Sequence, residues 1–307
     1  MSEVISNLIG KIKEKSPLQA RSVQKYLDEM YDIEKEKLSR RINYYLDMGE
    51  DYDSIADGYL NFCLYFMEER KYFVEYGTYR YSTYKEAELL YNDSAYMKNY
   101  MIGLSLAIYL WSIQRESMRF FVEKCRKDKH FGGKYLEVGP GHGEYLVTAM
   151  ENMFFDEYLA VDISSTSAEM TRSFLKYVYQ NDKKAMGKVA VLHKDFFAIE
   201  EEKFDGIVVS EVLEHVENPK DFLLQTKKLA KQDAFIYLST AINSPFPDHL
   251  YHFHRKEEVY RLLKETGFKV VDEVISTAEG ISMEKAEKKK YDITIGFILS
   301  PKERGIQ

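Results

Sequence analysis

Three glycines, Gly139, Gly141 and Gly143, follow closely on an acid, Glu137, within Lys134-Tyr-Leu-Glu-Val-Gly-Pro-Gly-His-Gly-Glu-Tyr-Leu146. Tyr135, Leu136 and Val138 read as a buried strand, and Glu144 to Met150 read as a helix, so the glycines occupy a strand-to-helix turn. Turns of this kind bind nucleotide-like ligands in doubly wound sheets, and they also occur as plain tight turns. Two features bear on the ligand. A dinucleotide fingerprint would place its third glycine one residue later, where this chain has Glu144. A carboxylate there competes with a pyrophosphate for the helix-start amides and the positive end of the helix dipole. Glu137 in turn suits a ligand that carries positive charge.

S-adenosylmethionine has an ammonium, a sulfonium and no phosphate, and it meets both conditions. Two further acids stand where the rest of such a ligand would need them. Asp162 closes a second strand, Glu157 to Asp162, where a carboxylate can accept from both ribose hydroxyls. Asp195-Phe196 follows a third strand, Lys188 to His193, where an acid can take an adenine amino group and a ring can stack on the base. An acid after each of the first three strands of one sheet converges on a single crevice.

Together with Phe204-Asp-Gly-Ile-Val-Val-Ser-Glu-Val-Leu-Glu-His-Val-Glu-Asn-Pro219, these motifs make residues 132 to 300 resemble a class I S-adenosylmethionine-dependent methyltransferase. The resemblance implies a doubly wound α/β fold with seven strands in the order 3-2-1-4-5-7-6, the seventh antiparallel. It implies that Glu137, Gly139 and Gly141 hold the methionyl end, Asp162 the ribose, and Asp195 with Phe196 the adenine. Gly143, Ser210 and Glu211 complete the expected cofactor-binding set.

Glu211-Val-Leu-Glu214-His215 is similar to a segment of ubiquinone-biosynthesis O-methyltransferases and of small-RNA 2′-O-methyltransferases. In the latter family such a set, with a later histidine, holds a divalent metal. Carried over, the alternative ligands here are Glu211, Glu214, His215 and His249, while metal-free relatives use the same segment for packing. The expected reaction is methyl transfer to an acceptor, a small metabolite or peptide with oxygen favoured. A sulfonium is already an activated donor, so the protein's tasks are alignment and proton removal. His215 and His249 are the catalytic candidates. His142, inside the glycine turn, is expected to pack against cofactor or helix, and His252 and His254 need no ligand.

The elements that must position these groups divide in two. Before residue 130 the pattern is helical. Ser16-Pro17 opens a long amphipathic helix ended by Gly49, Asp53 or Ser54 caps a second that runs to Gly77, and a third block spans Ser94 to Lys127 with Gly103 as a kink or close-packing point. After residue 131 strands alternate with helices, which implies a mainly parallel sheet. The division expected is therefore 1–130, a helical lid that selects the substrate, and 131–307, the cofactor-binding unit. Of the 25 tyrosines, 16 precede residue 130. They either pack a helical bundle or close over the acceptor, and Tyr76, Tyr79, Tyr81, Tyr84, Tyr96 and Tyr100 are the lid candidates.

A net charge of −7 argues against a general nucleic-acid surface. Cys63 and Cys125 form no paired motif, and no apolar stretch is long enough to span a bilayer. A soluble cytoplasmic enzyme with a small-molecule or peptide acceptor is expected. The lysine run after Glu284 reads as a solvated turn.

Overall fold

A computed structural model describes residues 2–128, 132–200 and 202–301. The junction expected at residues 130/131 lies outside the described residues. Seven helices come first: α1 (Glu3–Lys15), α2 (Pro17–Asp28), α3 (Asp32–Asp47), α4 (Tyr52–Tyr76), α5 (Tyr84–Asn92), α6 (Ser94–Leu110) and α7 (Ser112–Asp128). Strands β1 (Lys134–Val138), β2 (Glu157–Asp162), β3 (Val189–His193), β4 (Phe204–Ser210), β5 (Ala230–Ile242), β6 (Lys269–Thr277) and β7 (Ile293–Ser300) follow. Interleaved with them are α8 (Glu144–Asn152), α9 (Ser165–Val178), α10 (Lys183–Met186), α11 (Pro219–Leu229), α12 (Lys256–Glu265) and α13 (Met283–Lys289).

The strands form one sheet in the order β3-β2-β1-β4-β5-β7-β6. β1 pairs in parallel with β2 and β4, while β7 runs antiparallel to both β5 and β6. The expected doubly wound order is thus observed.

Side chains alternate between two faces, as the pleat requires. Tyr135, Val208, Phe235 and Tyr237 enter one apolar core, and Leu136, Ile207, Val209, Ile236 and Leu238 enter the other. The first core is continuous with the front helices, because Ile5, Val23, Ile42, Tyr59 and Leu106 belong to the same cluster as the sheet residues. Helices α11 and α12 cover the opposite face through Phe222, Leu223, Val259 and Leu263.

The long helix expected over 17–49 is two helices. Its break at residues 29–31 is held from outside: the Tyr31 N–H donates to the Glu34 carboxylate at 2.8 Å, Arg119 clamps Glu34 and the Glu29 carbonyl, and Arg115 reaches the Glu29 carboxylate at 2.8 Å. The block from Ser94 to Lys127 also divides, with Trp111 extended between α6 and α7 and its indole packed on Phe62 and Phe66. Asp51, two residues before the expected cap, starts α4 by accepting from the Ser54 N–H at 2.8 Å. Gly103 is a close-packing point without a kink, since a Cβ there would lie 2.2 Å from Cβ of Phe62. The lysine run belongs to α13, which ends on Lys290, and Arg70 donates to the carbonyls of Lys289 and Lys290. Backbone acceptors at that helix end satisfy a guanidinium, so the segment is a docked helix and not a turn, while its lysines are solvated as expected.

Candidate functional site

The turn after β1 needs glycine for two reasons. Gly139, Gly141 and Gly143 have φ of +66°, +51° and +78°, in the left-handed region that side chains disfavour. A Cβ on Gly139 would also stand 2.9 Å from Val212 Cγ2, so the chain passes close to the segment after β4. The Gly139 N–H donates to the Val161 carbonyl and Thr171 donates to the Gly141 carbonyl, which ties the turn to β2 and α9.

Glu144 does not face a ligand. It is 1% exposed and accepts from Arg41 Nε at 3.0 Å and Nη2 at 2.8 Å, and Nη2 also donates to the His142 carbonyl at 2.7 Å. The Arg41 guanidinium lies 3.3 Å from the Phe174 ring centroid. The expectation that Glu144 repels phosphate is therefore corrected, because its charge is neutralised by an arginine of α3.

A cavity of about 340 Å³ opens at the carboxyl ends of β1, β2 and β4. Gly139, Gly141, Asp162, Asp195, Phe196 and Val212 line it, with Tyr84, Tyr91, Tyr100 and Met101 from the helices on its other side. Asp162 is nearly buried, and desolvation raises its carboxyl to about 6 although the Ser164 N–H donates to it at 2.8 Å. Asp195 accepts from the Phe197 N–H at 2.9 Å with one oxygen. Phe196 packs on Phe222, with ring centroids 4.5 Å apart. Lys194 is the single Lys or Arg among the described residues that line the cavity, against five carboxylates: Asp162, Asp195, Glu211, Glu217 and Asp248. Such a lining fits a diol and a cationic group and does not fit a pyrophosphate.

A smaller chamber of about 110 Å³ shares Gly139, Gly141, Tyr100, Leu104, Glu211 and His215 with the first. Glu137 faces this chamber and not the larger one. Burial lifts its carboxyl to about 8, and the Tyr135 hydroxyl donates to it at 2.6 Å. Glu211 has φ +53° and is pushed up to about 7 by burial. Glu214, wholly buried, is raised further by desolvation and then by the charge of Glu211, and it accepts from Thr240 at 2.8 Å. One oxygen each of Glu211 and Glu214 has no hydrogen-bond partner.

Two imidazoles meet here with centroids 4.6 Å apart. His249 Nδ1 lies 2.6 Å from the Ser244 carbonyl and His215 Nδ1 lies 3.1 Å from the Asp248 carbonyl. A carbonyl can only accept, so each ring carries a proton on Nδ1, and in neutral His249 this leaves Nε2 with a lone pair. Burial, reinforced by His215, holds His249 well below the usual histidine range and hence neutral. Ligand atoms of Glu214, His215 and His249 lie within 4.8 Å of one another, so these three are the described groups able to hold a metal ion.

The structure therefore gathers Glu137, Gly139, Gly141, Asp162, Asp195, Phe196, Ser210, Glu211, Glu214, His215 and His249 around two connected cavities. Gly143 caps α8 beneath them. Of the six tyrosines, Tyr84 and Tyr100 line a cavity. Tyr79 packs behind His249 and His252, and Tyr96 stacks on Tyr100 from outside. Tyr76 is 60% exposed and rests on Tyr72 away from both cavities, and Tyr81 lines neither. His142 faces the smaller chamber, its Nδ1 accepting from the Glu144 N–H at 3.1 Å.

Sequence reasoning missed Tyr91, Met101, Gln114 and Asp248, and the aromatic wall of Phe62, Trp111 and Phe246. Asp248 adjoins His249 in the Pro247-Asp-His stretch and could have been found there. The wall residues carry no local mark.

Residues 110–273 match the family described as Methyltransferase domain. A Methanocaldococcus jannaschii protein of uncharacterized function is 25% identical over 186 residues, 56% of this chain and 82% of that one. The mitochondrial ubiquinone biosynthesis O-methyltransferase of Dictyostelium discoideum is 26% identical over 157 residues, 48% of each chain, so the match spans about half the length of that enzyme. Among solved structures, the N-methyltransferase NodS of Bradyrhizobium japonicum, in complex with S-adenosyl-L-homocysteine, aligns with a TM-score of 0.47 at 16% identity over 72% of this chain and all of that one. No helix among the described residues is long and apolar enough to cross a membrane. With the family match spanning more than half of the chain and the sheet order and acid-lined cleft in agreement, the protein belongs to the methyltransferase-domain family and is an S-adenosylmethionine-dependent class I methyltransferase.

Proposed function

We propose that the protein methylates an oxygen or nitrogen of a small molecule or peptide side chain that enters the smaller chamber, with cofactor spanning both cavities. On this reading Asp162 holds the ribose diol, Asp195 and the Phe196 region hold the adenine, and Glu137 with Gly139 and Gly141 holds the methionyl end. Ser210 and Glu211 border the methyl group. When bound, S-adenosylmethionine supplies an electrophilic methyl group on a sulfonium. The front helices then act as the substrate-selecting part, with Tyr84 and Tyr100 as its cavity-facing tyrosines.

One observation carries the reading: His249 is buried and neutral, and its Nδ1–H on the Ser244 carbonyl leaves Nε2 free to take a proton. Buried Glu214, whose ligand oxygen lies within 4.8 Å, favours the imidazolium so formed only once it has given up its own proton, which burial and Glu211 oppose. His215, turned by Asp248, is the second candidate base. The test is incubation with methyl-labelled S-adenosylmethionine and fractionated small-molecule or peptide pools. Label transfer matched by S-adenosylhomocysteine release is expected, and cofactor binding without release in any pool would overturn it.

A second reading keeps the transfer and adds a divalent cation on Glu214, His215 and His249, favoured by their mutual approach. Loss of label transfer on chelator treatment, restored by magnesium or manganese, is its signature. Unchanged transfer after chelation removes it.

A further inference from the structure

The smaller chamber has a chemical bias that methyl transfer by itself does not require. Four carboxylates line it, those of Glu137, Glu211, Glu214 and Asp292, and no Lys or Arg does so among the described residues. Glu137 lies beside the glycine turn and is already given to the cofactor. Glu214 and Asp292 approach from the β4 and β7 side, next to Thr294, Ser244 and His249. Glu214 is 0% exposed, and Thr240 occupies only its Oε2. Its Oε1 and Oδ1 of Asp292 are shielded from solvent and have no hydrogen-bond partner. A buried carboxylate oxygen left without a donor is costly, and a ligand that brings donors removes the cost.

Arg70 acts on Asp292 through its charge alone: it does not line the chamber, and its N–H groups donate to the carbonyls of Asn243, Lys289 and Lys290. Opposite the acids stands an apolar wall. Phe62, Trp111 and Phe246 pack together with centroids 4.9 to 6.2 Å apart, and Tyr100 joins Phe62 at 5.4 Å. Anionic acceptors, whether carboxylates or phosphates, find no positive partner in such a place.

Resting on the methyltransferase reading above, we propose that the acceptor is a cationic amine: its protonated nitrogen sits on Glu214 and Asp292 while its apolar body lies on the Phe62, Trp111 and Phe246 wall. An ammonium supplies several donors to these oxygens, and aromatic faces favour a neighbouring cation. A divalent ion on Glu214 and the two histidines would leave both Asp292 and the aromatic wall without a role.

The experiment uses the full chain saturated with S-adenosylhomocysteine and three matched probes: phenethylamine, its neutral analogue 2-phenylethanol, and phenylacetate. Affinities are read by ligand-observed NMR and calorimetry. The amine is expected to bind about tenfold or more tighter than the alcohol, with phenylacetate weakest. Glu214→Gln should erase that preference while S-adenosylhomocysteine affinity holds. Asp292→Asn, less buried, serves the same purpose if the first variant does not fold. Equal binding of amine and alcohol, or no binding of the amine, overturns the inference and leaves the methyltransferase reading standing. Failure of S-adenosylhomocysteine to bind overturns that reading and the inference with it. Stoichiometric binding of manganese alone that displaces the amine and is lost in Glu214→Gln also overturns it, because the acids then serve a metal.

Discussion

The two cavities meet at Gly139 and Gly141 yet are made in different ways. The larger takes its polar groups mainly from the ends of β1 to β4 and the residues just after them, with helix residues such as Tyr84 and Tyr100 on its other side, so most of its chemistry rests on short, contiguous stretches. The smaller is assembled from α4, α6, α7, the glycine turn, the β4–β5 region and the start of β7, each giving between one and a few residues. The first depends on backbone conformation. The second depends on how distant helices pack. If the larger cavity takes the donor and the smaller the acceptor, as proposed, donor recognition can persist in a chain whose smaller chamber is altered, and the variants below ask whether the two separate in this way.

The sharpest separation is expected from His249→Ala. Turnover should fall about 10²- to 10⁴-fold, the usual contribution of a positioned base, while calorimetric affinity for S-adenosylmethionine stays within about twofold. Equal rates would remove His249 from the chemistry.

Arg41→Met attacks the seam between the two cavities. It leaves Glu144 in a dry site with only Arg40 Nη2, at 3.7 Å, as a paired cation, a loss toward the lower end of about 3–5 kcal/mol in denaturant unfolding. Unlike His249→Ala, it should weaken both cofactor affinity and turnover, since the same guanidinium holds the His142 carbonyl of the glycine turn. The double variant Arg41→Met, Glu144→Leu should recover most of the stability. Little recovery would mean that the carbonyl contact matters more than the charge pair.

Asp162→Ala is the converse case. Cofactor affinity should fall about 10- to 100-fold by calorimetry, in line with the loss of charge-assisted hydrogen bonds, with the melting temperature of the cofactor-free protein nearly unchanged. Unchanged affinity would sink the assignment of the larger cavity to the nucleoside.

The smallest effect is a pH dependence that tells the chambers' acids apart. Glu137 is held up at about 8 when folded and Asp162 at about 6, both above ordinary carboxyls. For such groups the folded state binds more protons, so stability present at low pH is lost as pH rises through the folded value. His249 and His252 are depressed and act in the opposite direction, but only below the ordinary histidine value near 6.5. Between pH 6.5 and 8 the melting temperature of cofactor-free protein should therefore drop by a few degrees. Glu137→Gln should lessen the slope in this window without removing it, because Glu211 and Asp292 are held up at about 7 and Glu214 is raised as well, whereas Asp162→Asn should act mainly below it.

This division also explains what could be read in advance. Alternating apolar residues made β2 and β4 plain, with both observed at the bounds their patterns suggested. Asp162 and Asp195 could be found because each follows directly on its strand. The helix breaks at residues 29–31 and at Trp111 were invisible, because Arg115, Arg119 and the aromatic cluster that fix them lie far off in the sequence. Tyrosine enrichment marked the right half of the chain without separating Tyr100, which faces the cleft, from Tyr76, which does not. Asp292 falls inside the stretch from Tyr291 to Ser300 that reads as a late strand, which begins instead at Ile293, and only the packing of β7 beside β5 brings it to the chamber.

The pairing of Arg41 with Glu144 also sets an order of events in folding. Contacts that close a loop of about a hundred residues form late and slowly compared with local helices. The glycine turn can adopt its shape as soon as β1, β2 and α9 meet, but its anchoring waits for α3 to dock. During synthesis α1 to α3 can pack on one another and then on α4 and α6, but the Arg41 guanidinium has no partner until α8 brings Glu144. Removing the first fifty residues would thus take away the arginine that holds the glycine turn and more than a quarter of the buried core on that face of the sheet.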